Sequence, residues 1–162
     1  MHSEILRGEL ILLPPPKSIH TIIADNLKDS LRDYVRPREL GRVLVEAGYR
    51  LFDDHRTCLQ PDVSFLSASR IAATSDDDHF QGAPEIAIEI ISPSESASDV
   101  EAKNSAYLEA GAKAIISVFP KTRRVHVVLA GNRRHWLVDG ETLSLPEILP
   151  GWEIPVAEIF GR

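Results

Sequence analysis

Residues Glu85 to Ile91 form a run in which Ile86, Ala87, Ile88, Ile90 and Ile91 surround one ionisable side chain, Glu89. Its length and β-branched content make it a central strand, and Ser92-Pro93-Ser94 ends it, because proline cannot donate to a sheet ladder. A glutamate inside such a run is costly unless something pairs with it. A helix follows. Ser98 with Glu101 three residues on has the form of a capping box, so the spacing predicts a helix from Asp99 to about Ala110, closed by Gly111. Lys103 shares a face of that helix with Val100, Ala106, Tyr107 and Ala110. A lysine therefore points toward the sheet, where it can meet Glu89 over the carboxyl end of the strand.

The segments on either side supply the rest of an α/β domain. Glu4 to Leu13 reads as a strand or short hairpin interrupted at Gly8-Glu9, and Pro14-Pro15-Pro16 ends it. Ser18 offers an N-cap, and Ile19, Ile22, Ile23, Leu27, Leu31, Tyr34 and Val35 recur at helical spacing, predicting an amphipathic helix from about Ile19 to Val35. Gly41 to Phe52 suggests a strand bulged or turned at Gly48. Leu59 to Leu66 suggests a second strand that opens with Pro61-Asp62. Ser67 to Gly82 reads as a polar connection, with Asp76-Asp77-Asp78 as a solvated loop. After the central strand and helix, Lys113 to Phe119 is a buried strand, and Val125 to Leu129 with His135 to Val138 form an antiparallel hairpin. The C-terminal segment from Leu143 to Phe160 is irregular but apolar enough to pack. The order of elements predicts a mixed sheet.

A length of 162 residues at 43% hydrophobic fits one compact domain, residues 1–162, with a sizeable core. Cys58 is the only cysteine, which rules out internal disulfides and multi-cysteine zinc sites and is consistent with a reducing, cytoplasmic setting. No apolar run approaches the ~20 residues that span a bilayer, and the N-terminus lacks the layout of a signal peptide, so a soluble protein with no membrane partner is expected. A net charge of −6 argues against indiscriminate nucleic-acid binding but leaves a local basic face open.

Asp62, Glu89 and a lysine facing them are the parts of a divalent-metal phosphodiesterase centre. Two carboxylates are hard oxygen ligands suited to Mg²⁺ or Mn²⁺, which draw remaining ligands from water and substrate phosphate. Each residue also has a plainer reading. Asp62 fits a turn or edge position, Glu89 an edge strand facing solvent, and Lys103 an exposed i, i+4 pair with Asp99. His20, in the first turn of its helix, fits a surface or packing role.

The ordered set of Pro61-Asp62, Glu89 with Ile90-Ile91-Ser92-Pro93-Ser94, then Asp99, Lys103 and Tyr107 before Ala110-Gly111 resembles the Uma-two-type restriction endonuclease family. That family lies in the PD-(D/E)xK nuclease superfamily. Gly8-Glu9, the early prolines, His20 and the closing Leu149-Pro150-Gly151-Trp152 and Ile159-Phe160 are similar as well. The resemblance implies a restriction-endonuclease-like core, a mixed β-sheet flanked by helices, with Mg²⁺ or Mn²⁺ on Asp62 and Glu89 and Lys103 as the catalytic lysine. The usual superfamily pattern sets lysine two residues after the glutamate, where this chain has Ile91; Lys103 matches the place this family uses instead. His20 and Asp99 match family positions and are candidates for the surroundings of the metal. Ile115-Ile116-Ser117-Val118-Phe119 departs from the Tyr-Trp-Ile-Val-Asp often found in that strand.

Basic residues give two candidate DNA faces. Lys17, Arg32, Arg36, Arg38 and Arg42 gather around the first helix; Lys121, Arg123, Arg124, Arg133, Arg134 and His135 lie on the predicted hairpin. Of these, Arg123, Arg124, Arg133 and Arg134 are the DNA-binding candidates, although scattered arginines also serve solubility. The expectation is a metal-dependent endonuclease acting on DNA, as a homodimer because cutting two strands calls for two sites. Two alternatives stand beside it: a DNA-binding module on the same fold with weak or no catalysis, and a structural protein whose polar set only stabilises the core.

Overall fold

The computed structural model describes residues 2–162. The chain starts with a hairpin, β1 (His2–Leu6) and β2 (Glu9–Leu13), whose two-residue turn puts Arg7 and Gly8 at positive φ, as a tight antiparallel turn requires. Helix α1 (Ser18–Val35) follows as expected, although its start at Lys17 carries no side-chain cap. The stretch 41–52 divides into β3 (Gly41–Val45) and β4 (Tyr49–Arg50), which join different sheets. The stretch 59–66 divides likewise into β5 (Cys58–Leu59) and β6 (Val63–Ser67). Gln60-Pro61-Asp62 carries the chain from one sheet to the other, and Pro61, which has no N–H to give, sits where no ladder bond is needed. That crossing fixes Asp62 at the seam between the sheets.

Residues 67–82 are more ordered than expected, holding α2 (Ala68–Ala72) and β7 (Phe80–Gln81), while Asp76, Asp77 and Asp78 remain an exposed loop. The central strand β8 (Ile86–Ile90), helix α3 (Ala97–Glu109) and strand β9 (Ala114–Phe119) form a β-α-β unit with β8 and β9 parallel. The hairpin β10 (Arg124–Leu129) and β11 (Arg133–Leu137) completes a six-stranded mixed sheet in the order β11-β10-β9-β8-β6-β3. The C-terminal segment is not irregular: it pairs β12 (Thr142–Ser144) with β13 (Glu153–Pro155) and ends in the short α4 (Val156–Ile159).

The period of two along β8 and β9 assigns the two faces of the large sheet. Ile86, Ile88, Ile90, Ala114, Ile116 and Val118 pack under α1 through Ile23, Leu27, Leu31 and Val35, with Leu143, Trp152 and Phe160 from the C-terminal segment. Ala87 and Ile115 face the other way, onto Ala106 and Tyr107 of α3 and onto Tyr49 and Leu59 of the five-stranded sheet β2-β1-β5-β4-β7. Glu89 lies on this second face. It is two residues beyond Ala87, so the same alternation that buries the isoleucines under α1 aims the carboxylate at α3. Among the described residues no helix is long and apolar enough to cross a membrane.

Helix α3 begins two residues before the position that Ser98 and Glu101 predict. Ser96 is the N-cap: its hydroxyl accepts from the Asp99 N–H at 3.1 Å and its own N–H donates to Asp99 Oδ2 at 3.1 Å. Glu101 is instead held by Arg134. Ser96→Ala is expected to lower stability by about 1 kcal/mol, and Ser98→Ala to change it by less than about half that, measured by urea unfolding. A larger loss at Ser98 would contradict this cap.

Candidate active site

The antiparallel register of β6 on β8 pairs Val63 with Ile88, and continued by one residue it sets Asp62 beside Glu89. The pairing is reinforced by the Ile90 N–H, which donates to Asp62 Oδ2 at 2.7 Å. Glu89 is buried, and Tyr107 of α3 donates its hydroxyl proton to Glu89 Oε1 at 2.8 Å. Sequence spacing on α3 correctly turns Lys103 and Tyr107 toward the sheet, and the exposed Lys103 reading fails with them.

Lys103 has a closer partner than Glu89. Its Nζ lies 2.5 Å from Glu4 Oε2 on β1, 3.8 Å from Glu95 Oε1 and 4.0 Å from Glu89 Oε2. The contact with Glu4 is an ion contact without hydrogen-bond alignment. Glu4 is 1% exposed and its other oxygen accepts from the Gln60 N–H at 2.8 Å, which ties the first strand to the Pro61-Asp62 crossing. Glu95 is fixed by accepting from the Ser92 N–H at 2.8 Å. Neither Glu4 nor Glu95 is singled out by sequence reasoning. The only local sign of Glu4 is that it falls on the same face of β1 as Leu6, and a five-residue strand carries too short an alternation to make that stand out.

Four carboxylates thus gather about one ammonium. Burial pushes the Asp62 carboxyl up to about 6, against the Ile90 N–H and Lys103, which pull it down. Burial raises Glu89 well above the ordinary glutamate range, an effect that Lys103 opposes and the carboxylates of Glu4 and Asp62 add to. Lys103 itself is raised: burial alone would lower it, but Glu89, Glu4 and Glu95 outweigh that. It is a permanent cation here. Buried Tyr107 is likewise held protonated, by desolvation and by the carboxylates around it.

A cavity of about 290 Å³ opens onto this cluster, with Asp62, Glu89, Glu95, His2, Lys17 and His20 in its lining. The structure therefore brings His20 to the site, where burial lowers its pKa and Glu95 partly restores it, leaving a neutral imidazole at pH 7. Asp99 is not brought there; it is exposed and engaged in the α3 cap. The hairpin arginines do not line the cavity either. Arg123 is bonded to Asp139, Arg133 to Glu147 and Arg134 to Glu101, while Arg124 lies over the Trp136 ring at 4.3 Å.

The donor set suits a hard divalent cation. Asp62 Oδ1 receives no hydrogen bond among the described residues, and Glu89 Oε2 has only the distant Lys103, so each carboxylate keeps one oxygen available. Desolvation raises both acids, half-buried Asp62 and buried Glu89, and Lys103 offsets it only in part. Among the described residues no three His, Cys, Asp or Glu side chains form a complete metal cage. A Mg²⁺-type centre takes one or two carboxylates and fills the rest of its shell with water and phosphate.

The crystal structure of a "putative nuclease belonging to DUF820" from Anabaena variabilis is similar in fold, with a TM-score of 0.84 over 98% of this chain and 89% of that one at 21% identity. No curated protein matches. Residues 1–157, which include all the residues of the cluster, match the family described as "Uma2: Putative restriction endonuclease". A mixed α/β core that brings Asp62 and Glu89 to one cavity, with Lys103 buried beside Glu89, is thus carried by a chain that belongs to the Uma2 restriction endonuclease family.

Proposed function

We propose that this protein is a Mg²⁺- or Mn²⁺-dependent endonuclease that hydrolyses phosphodiester bonds in DNA, with Asp62 and Glu89 on the metal and Lys103 beside the attacking water. The observation that carries this reading is the pair of adjacent, under-compensated carboxylates, Glu89 buried and Asp62 half-buried, each with an available oxygen, on a cavity open to a substrate. When bound, the cation supplies positive charge opposite the phosphate and acidifies water at the site. The protein's own groups do the positioning. The Ile90 N–H and the Tyr107 hydroxyl each hold one carboxylate oxygen, so that Asp62 Oδ1 and Glu89 Oε2 are presented in fixed directions. Lys103, kept protonated by Glu89 and Glu4, is an electrostatic partner for water or phosphate and not a base. Cutting both strands of a duplex needs two such centres, so the working form we propose is a cytoplasmic homodimer, which the mass in solution checks.

The test is Mn²⁺ binding by calorimetry, followed by cleavage of a supercoiled plasmid. Binding is expected in the parent and lost in both Asp62→Asn and Glu89→Gln, with cleavage falling by at least about a hundredfold. Metal binding without cleavage of any DNA would favour the DNA-binding module on the same fold. Absence of binding in a folded parent, with phosphate present to complete the shell, would sink the metal centre.

A further inference from the structure

Three of the four hairpin arginines are held by acids and Arg124 lies over Trp136, whereas a second cavity of about 530 Å³ that adjoins the first carries cations without such partners. The two share Lys17, His20, Ser92, Pro93 and Glu95 as common walls, so they form one groove with the carboxylates at one end. The far end has two chemistries. Its floor is apolar, made by Ile19, Ile91, Phe119 and Pro120, and its rim carries Lys17 and Lys121. Both lysines are exposed, and among the described residues neither takes part in an ion pair. By contrast Lys28, which lines another cavity that reaches Asp62, is bound by Asp25 and Asp29. Unpaired ammonium groups above an apolar floor match a phosphate joined to a sugar and base.

We propose that this second cavity holds the nucleotide adjoining the cleaved phosphodiester, with Lys17 and Lys121 on its phosphates and the Phe119-Pro120 floor beneath its sugar and base. The proposal rests on the nuclease reading and adds the direction in which the substrate strand leaves the carboxylates. It also replaces the hairpin as the DNA face. An exposed lysine with no carboxylate partner releases counterions when it meets phosphate, whereas an arginine already paired must first give up its own acid.

The experiment is fluorescence anisotropy of a labelled DNA oligonucleotide, single-stranded and duplex, in Ca²⁺ and over a salt series. Three variants are compared with the parent: Lys17→Gln/Lys121→Gln, Lys17→Arg/Lys121→Arg, and a quadruple glutamine replacement of Arg123, Arg124, Arg133 and Arg134. The glutamine pair is expected to bind about tenfold more weakly and to lower the slope of log K against log salt by about 1.4 to 1.8. The arginine pair should bind like the parent, and the hairpin variant should change affinity less than about twofold. Thermal midpoints confirm that these surface changes leave the fold intact. Unchanged binding in the lysine pair, or a larger loss in the hairpin variant, overturns the proposal and leaves the nuclease reading standing. A parent that binds neither form of DNA removes both.

Discussion

Lys103→Met is expected to destabilise the protein by about 3–5 kcal/mol at neutral pH and above, the cost of leaving buried acids without their counter-charge. Lys103 is 5% exposed, Glu4 1% and Glu89 7%, so water cannot take over when the ammonium is removed. The pH dependence follows from Glu89. Burial already holds its carboxyl high and Lys103 is the main influence pulling it down, so the variant's Glu89 is protonated over a still wider range. In the unfolded chain it titrates at its ordinary value. Below that value both states are protonated and the penalty from Glu89 vanishes; it grows as pH rises through the folded value. Urea unfolding across pH should therefore show the loss shrinking toward acid. Glu4→Gln/Lys103→Met should recover a good part of it, because glutamine still offers an oxygen to the Gln60 N–H while removing one of the stranded charges. Equal stability of parent and Lys103→Met at every pH would show that the cluster is not coupled as the distances indicate.

The carboxylates of the proposed metal site should behave in the opposite way. In the absence of metal, Asp62→Asn is expected to stabilise the protein at neutral pH, by up to about 3 kcal/mol. The Asp62 carboxyl moves from 3.8 to about 6 on folding. The native state thus holds a proton that the unfolded state has lost, and this contribution to stability, full below the unfolded value, is lost as pH rises through about 6. An asparagine never pays that penalty and its amide oxygen can still accept from the Ile90 N–H. Glu89→Gln should act in the same direction. Saturating Mn²⁺ reverses the order, since only the parent gains binding free energy, about 2.7 kcal/mol at a hundred times Kd. Melting temperatures with chelator and with Mn²⁺, each at pH 5 and pH 8, decide it. Variants less stable than the parent in chelator at pH 8 would mean that the carboxylates serve the core and not a ligand.

Much of this site is legible in sequence because its signals are local. Glu89 is conspicuous inside an unbroken apolar run, and Lys103 is placed by the three- and four-residue spacing of α3. The α3 cap is local too, yet Ser96-Asp99 and Ser98-Glu101 both have the required spacing. A tertiary contact separates them, since Arg134 draws Glu101 away to the hairpin. The same long-range pairing hides the fate of the hairpin arginines, whose acids lie on α3, after β11 and before β13. The division of 59–66 into two strands turns on Pro61, which reads equally well as a strand start and as a crossing until the second sheet is known. Glu4 has no local signature beyond the face of β1 that it shares with Leu6. Its significance exists only through Lys103.

That contact also has a consequence for how the chain comes to be folded. Residue 4 on the first strand must find residue 103 on the third helix, among the longest sequence separations that contribute to the cluster. Loops of that span close late, after local helices and hairpins have formed. A partly folded chain, with its β-α-β unit built but its first strand undocked, would leave Lys103 without Glu4 and the Asp62 crossing without its tether to Gln60. Assembly of the candidate site is therefore expected to wait for the docking of the first strand.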